Sequence, residues 1–308
     1  MLCILLVSCN KDEAVIPSEF ATYLDRFVNE AKLRGKTISL DKLELRFKDL
    51  ENNCGLAEIV PLRVNIDEAC WNRLPDVAKE LLMFHELGHA LLRLDHDEST
   101  LPNGDYKSIM VPDPTVLYND FTIEKRVYYL DELFGVLKGL PAWTAVKTNE
   151  YSVIDDNITL PTAWAFVSSN GALHEGEVID TVYYSAENCL AIKSNGTSSG
   201  FSFWRYQWIP QGIEVGDEVV LKLKIKSEDL TNGGAYFAFR ADIQGEEFPV
   251  FFYTTQGDPV LGTNDFKEYS VKVNYFPSMI EQLNIFLILD GSSTGTVYFD
   301  DIQVLKYN

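Results

Sequence analysis

The hydrophobic period of this chain changes once, and that change limits what each half can fold into. Over residues 17–33, Phe20, Leu24, Phe27, Val28 and Ala31 recur at helical spacing, and Gly35 follows as a stop. Residues 74–92 open on Leu74-Pro75-Asp76 and read as a second strong helix. Residues 122–137 read as a third, with Val127, Leu130, Leu133 and Phe134 on its apolar face. Between the first two, Leu43, Leu45 and Phe47 alternate with charged residues as in a half-buried strand. Residues 57–66 form another extended run, which Pro61 assigns to a sheet edge. After Gly139-Leu140-Pro141 the helical spacing disappears. Short alternating strands take over at residues 219–225, 236–239, 269–273, 285–289 and 297–304. Turn signals such as Ser194-Asn195-Gly196 and Thr231-Asn232-Gly233-Gly234 separate them. A chain of 308 residues is long enough for two cores. The expected layout is a tether at 1–16, an α+β domain at 17–144 and an antiparallel all-β sandwich at 145–308.

Lys and Arg total 26 against 46 Asp and Glu, a formal charge of −20. An acidic surface without a basic run repels phosphate backbones, so no nucleic-acid partner is expected. The chain starts MLCILLVSC, and Leu6-Val7-Ser8-Cys9 fits a bacterial lipobox, in which the cysteine carries the lipid. Asn10-Lys11-Asp12-Glu13 then reads as a solvated tether. The charged start of a signal is missing, and a short buried strand is the other reading of this stretch. No segment approaches the ~20 apolar residues of a membrane span. The expected membrane attachment is therefore a lipid on Cys9 alone, in the cell envelope. Outside the cytoplasm Cys54 and Cys70 are the natural disulfide pair, with two buried thiols as the alternative. Cys189 is left over, expected in a buried strand.

Only four histidines occur, and His85, His89 and His96 fall within twelve residues. On a helix, His85 and His89 stack one turn apart on one face. Two such imidazoles can meet one zinc ion at about 2.0–2.1 Å. Glu86 flanks that position. A zinc ion lowers the pKa of a water it binds to near 7, and a neighbouring carboxylate can take the proton. Gly88 leaves room beside the site. An ordinary buried helix with two satisfied histidines is the competing reading of so short a motif.

His85-Glu86-Leu87-Gly88-His89, a downstream His or Asp, and Ser108-Ile109-Met110 together resemble the metzincin clan of zinc peptidases. The resemblance covers about residues 40–135. It implies that His85 and His89 are ligands, Glu86 the general base and Met110 the floor of the site. It also implies Zn2+ as cofactor and a protein or peptide as substrate. The clan's glycine position is Leu92 here, and its third-ligand position is Asp95, with His96 one residue later. Imidazole is the commoner third ligand, so His96 is preferred and Asp95 is the alternative. Tyr106 and Tyr118 flank the methionine turn and are candidate oxyanion donors. Asp97, Asp105 and Asp113 could form a structural Ca2+ site or simply an acidic loop. The lipobox and layout also resemble small lipoprotein peptidases of the Gram-negative envelope.

The second half resembles jelly-roll modules that bind carbohydrate, and residues 295–302 look like their last strand. The fold expected from the two resemblances is a small metzincin-like zinc peptidase domain followed by an all-β jelly-roll sandwich. Trp204, Tyr206 and Trp208 alternate along one strand and offer either a sugar-stacking platform or core side chains. Asp300 and Asp301 are candidates for a structural Ca2+. The leading expectation is a zinc endopeptidase. The alternative is a surface lipoprotein that binds glycan or protein and carries an inactive peptidase domain.

Overall fold

A computed structural model describes residues 16–152, 161–169, 171–185 and 187–308. Cys9 and the proposed lipobox lie outside them. The chain divides between Thr144 and Ala145 into two compact units. No helix among the described residues is long and apolar enough to cross a membrane.

The first unit is α+β. Helix α1 (Ser18–Leu33) buries Phe20, Tyr23, Leu24, Phe27 and Ala31, the residues its spacing puts on one stripe. Phe27 meets Phe84 of α3 (Asp76–Leu87) edge-on at 5.1 Å. Strands β1 (Glu44–Phe47), β2 (Gly55–Glu58) and β3 (Arg63–Ile66) form a sheet of order β1-β3-β2. The extended run of residues 57–66 is thus a hairpin, not one strand. Pro61 lies in its turn, where no ladder bond is lost. Among the described residues, β2 pairs with β3 and with no other strand. A disulfide joins Cys54, just before β2, to Cys70 of the short helix α2 (Glu68–Trp71).

Helix α4 (Ile123–Leu133) differs from its sequence reading. Leu130, Leu133 and Phe134 are buried, but Val127 is exposed, and Lys125, Tyr128 and Tyr129 are buried. Each buried polar head has a partner, which removes the penalty of burying it. Lys125 Nζ donates to Asp105 at 2.8 Å and Asp120 at 3.0 Å. The tyrosine hydroxyls donate to the carbonyls of Lys107 and Tyr106.

The second unit is a β-sandwich of the jelly-roll type. Its strands are β4 (Glu150–Ser152), β5 (Ala165–Ser169), β6 (His174–Ile179), β7 (Cys189–Ser194), β8 (Phe201–Trp208), β9 (Glu218–Asp242), β10 (Phe251–Thr254), β11 (Val260–Val273), β12 (Gln282–Asp290) and β13 (Thr296–Tyr307). Strand β9 is bent near Asn232 and Gly234, both at positive φ. Its first half pairs with β11 and β13, and its second half with β10 and β12. One layer is therefore β5-β8-β12-β9-β10, and the other is β6-β7-β13-β9-β11, with β4 added to the end of β13. Alternate residues face inward, such as Leu221 and Leu223 on β9 and Ile285 and Leu287 on β12, and all four are fully buried.

Candidate metal centre

Helix α3 carries His85 and Glu86 on its last turn, and both are buried. The next residues, Gly88–Leu92, form one π-helical turn that holds His89. An i→i+5 turn contains one residue more than an α turn. The turn thus adds one residue to the helix end before the chain runs on to His96. Arg93 takes the left-handed conformation at φ 61°, and the Leu94 N–H closes onto the Gly88 carbonyl at 3.2 Å. A non-glycine residue there is uncommon, and it turns the chain back over the helix end.

The three imidazoles converge: ligand atoms of His85, His89 and His96 all lie within 4.8 Å of one another. The Nδ1 of His85 meets the Ile109 carbonyl at 2.8 Å, and the Nδ1 of His89 meets the Leu94 carbonyl at 2.7 Å. A carbonyl only accepts, so both Nδ1 atoms carry the proton. Each Nε2 is then a lone pair. These two lone pairs face each other at 3.1 Å, an arrangement that needs a cation or a proton between them. A tetrahedral zinc ion spaces its nitrogen donors by about 3.3 Å, close to the 3.1 Å between these two, and three convergent imidazoles are a donor set of the type zinc takes. Orienting carbonyls behind the ligands are the usual support of such a site. Asp95 lines the same cleft and lies outside the converging group.

Burial pushes the His85 imidazole down to about 4, against the Ile109 carbonyl, which acts the other way. Burial also lowers His89. Metal binding requires neutral imidazole, and His85 is in that form at neutral pH. The unfolded chain has His85 near 6.5. Its neutral burial therefore favours the fold above pH 6.5, and this contribution is lost as pH falls towards 4. In metal-free protein an NMR titration should find the His85 ring neutral at pH 5.5. A ring half-protonated near pH 6.5 would contradict this.

The Ser108-Ile109-Met110 segment lies under the site. Met110 is 2% exposed, and a Cβ at Gly88 would come within 2.7 Å of its sulfur. The room left by Gly88 is thus occupied by Met110. Gly55 serves Glu86 in the same way. A Cβ there would fall 2.7 Å from Glu86 Cγ and closer still to the carboxylate. The Ala57 N–H donates to that carboxylate, and burial pushes Glu86 up to about 8. Nothing in the sequence marked Gly55 or Ala57, because their contact with Glu86 exists only once β2 is laid against α3.

An open cleft of about 680 Å³ surrounds these groups. Gly55, Leu56 and Ala57 of β2 form one wall, and residues 112–115 form the other. The Tyr118 hydroxyl is buried with no hydrogen-bond partner among the described residues, and burial, then the nearby charges of Asp113 and Glu86, raise its pKa. Tyr106 lines a second pocket with Val111 and Val116.

The acidic residues considered for Ca2+ have other work. Asp105 pairs with buried Lys125, Asp97 accepts from the Ser99 N–H, and Asp113 caps the turn at Pro114–Leu117. Asp300 accepts from Tyr184 and Ser185, and Asp301 from Gln303. Neither set converges on a cation position among the described residues. Trp204 and Tyr206 lie in the sandwich core, and Trp204 Nε1 donates to the Ala191 carbonyl at 3.0 Å. Trp208 packs against the same core. Of the two readings of these three side chains, the structure gives the core one: strand alternation turns all of them inward.

No family model matches the chain, and no curated protein is significantly similar. Among solved structures, the enzymatically active domain of bacteriophage CBA120 tailspike protein 4 aligns at TM-score 0.39 and 12% identity, over 50% of this chain and 21% of that one. This chain therefore spans about a fifth of that protein. The Stig cyclase Fisc from Fischerella sp. TAU aligns at TM-score 0.39 and 14% identity, over 51% and 98%. A family 11 carbohydrate-binding module from Clostridium thermocellum aligns at TM-score 0.34 and 15% identity, over 50% and 94%.

Proposed function

We propose that the first unit is a zinc-dependent endopeptidase with Glu86 as its general base. The observation that supports this most is the facing pair of Nε2 lone pairs on His85 and His89, beside His96 and a buried carboxylate. Zinc, when bound by the three imidazoles, supplies a Lewis acid that acidifies water and polarises a carbonyl. Glu86 takes the proton from the attacking water and delivers it to the leaving amine. Gly55 and the Ala57 N–H hold its carboxylate against β2. Tyr118 has a free hydroxyl to donate to the developing oxyanion. The side of β2 away from β3 offers main-chain groups besides the Ala57 N–H with which an extended peptide can pair. Incubation with an unfolded protein such as casein tests the proposal. Cleavage that a chelator stops and added zinc restores is expected. No cleavage by zinc-loaded protein of any unfolded substrate tried would count against it. Attachment to the envelope through a lipid on Cys9 belongs to the same proposal, and Cys9→Ser should abolish incorporation of a labelled fatty acid.

Substituting Gly55 tests the clamp on Glu86. Gly55 has an ordinary negative φ, so alanine is compatible with the backbone, but its Cβ must displace the carboxylate. Gly55→Ala should lower kcat roughly 10–100-fold, the scale of a 1 Å misplacement at a reacting centre. Zinc content should be unchanged. Wild-type kcat in this variant would mean that the contact does not position Glu86.

A second reading, glycan binding by the sandwich, is favoured by a different set of side chains from those the sequence suggested. On the face of the β8-β12-β9 layer away from the main core, half-buried Phe203 aligns with buried Ile288 and Tyr236, and exposed Arg205 with half-buried Phe286. Phe201 stacks on Phe203 at the exposed end of the row. Aromatic faces beside guanidinium groups suit the apolar faces and hydroxyls of sugars. Retardation of the full chain in polysaccharide gels, lost in Phe203→Ala, would support this reading. Equal mobility with every polysaccharide would not.

A further inference from the structure

Helix α4 contributes no residue to the metal cleft, yet it holds the turn beneath it. The Ser108 hydroxyl donates to Glu132 Oε2 at 2.8 Å, and Ser108 Oγ itself accepts the Met110 N–H at 3.1 Å. Ser108 is 1% exposed, so this pair of bonds is shielded from water. The turn so fixed reaches the support of all three histidines. Its Ile109 carbonyl receives His85. Its Met110 sulfur packs on Gly88, next to His89. Its Met110 carbonyl accepts the Asp97 N–H at 2.8 Å, next to His96.

We propose that Glu132 is a positioning residue of the metal centre, acting through Ser108 on the turn that orients the three histidines. This rests on the zinc reading above. Glu132 touches neither the cleft nor a ligand, so its effect is on the geometry and affinity of the ion, not on proton transfer. What the turn needs from Glu132 is an oxygen that accepts from Ser108. Glutamine supplies one and alanine does not.

The test measures zinc affinity by chelator competition in the full chain, together with the visible absorption of the cobalt-substituted protein. Losing an outer partner of a metal ligand typically weakens binding about 10–100-fold. Glu132→Ala should fall in that range and alter the cobalt bands. Glu132→Gln should stay within about threefold of wild type. If Glu132→Ala does not fold, Ser108→Ala reads the same link and should weaken zinc by a similar factor. Affinity of the folded alanine variant within threefold of wild type would overturn the proposal, as would a glutamine variant as weak as the alanine one. A wild-type protein that binds no zinc would remove the metal-centre reading itself. Tight wild-type binding with indifferent variants would remove only the role of Glu132.

Discussion

Replacing Glu86 by glutamine should lower peptide hydrolysis by about 10²–10⁴-fold, the usual contribution of a positioned general base. That corresponds to roughly 3–5 kcal/mol in the activation barrier. Zinc content should stay at the wild-type level, because the three imidazoles and their carbonyl partners are untouched. The fold should persist too. Glu86 is buried with no ion pair among the described residues, its carboxylate is already pushed up to about 8 by that burial, and an amide oxygen can still accept from Ala57. Activity and zinc content therefore separate. A variant that keeps zinc and loses hydrolysis supports the assignment, and one that keeps both places the base elsewhere.

The second large effect concerns the third ligand. His96→Ala should weaken zinc binding by at least ~100-fold, because one of three imidazoles within 4.8 Å of one another is removed. Asp95→Ala should change affinity less than tenfold, since its carboxylate lines the cleft outside that group. The measurement is chelator competition on both variants under one buffer. The reverse ranking would make Asp95 the ligand and the π-helical turn incidental.

That turn shows what sequence spacing could and could not reveal. The pair His85 and His89 was readable because an α turn fixes their separation. For the third position the sequence preferred His96 over Asp95 on ligand chemistry alone, and what it did not show is the backbone that brings His96 round, the π-helical turn at Gly88–Leu92 and the left-handed Arg93. The sandwich was readable from alternation, but alternation alone does not say which face is inside. Trp204 and Tyr206 turned inward, and Phe203 and Arg205 turned outward, once β8 was paired between β5 and β12. Helix α4 misled for another reason. Lys125 and two tyrosines are buried because each polar head finds a partner distant in sequence, which displaces Val127 to the surface. The contacts most specific to the site, Gly55 on Glu86 and Glu132 on Ser108, join elements that periodicity treats separately.

The central claim is a zinc ion held by His85, His89 and His96. X-ray absorption at the zinc edge, on protein purified without added metal and then loaded with one equivalent, tests it most directly. The account predicts one tightly bound ion with three imidazole nitrogens at about 2.0–2.1 Å and one further light donor. Sub-stoichiometric zinc after loading, or a shell with fewer than three imidazoles, would contradict it.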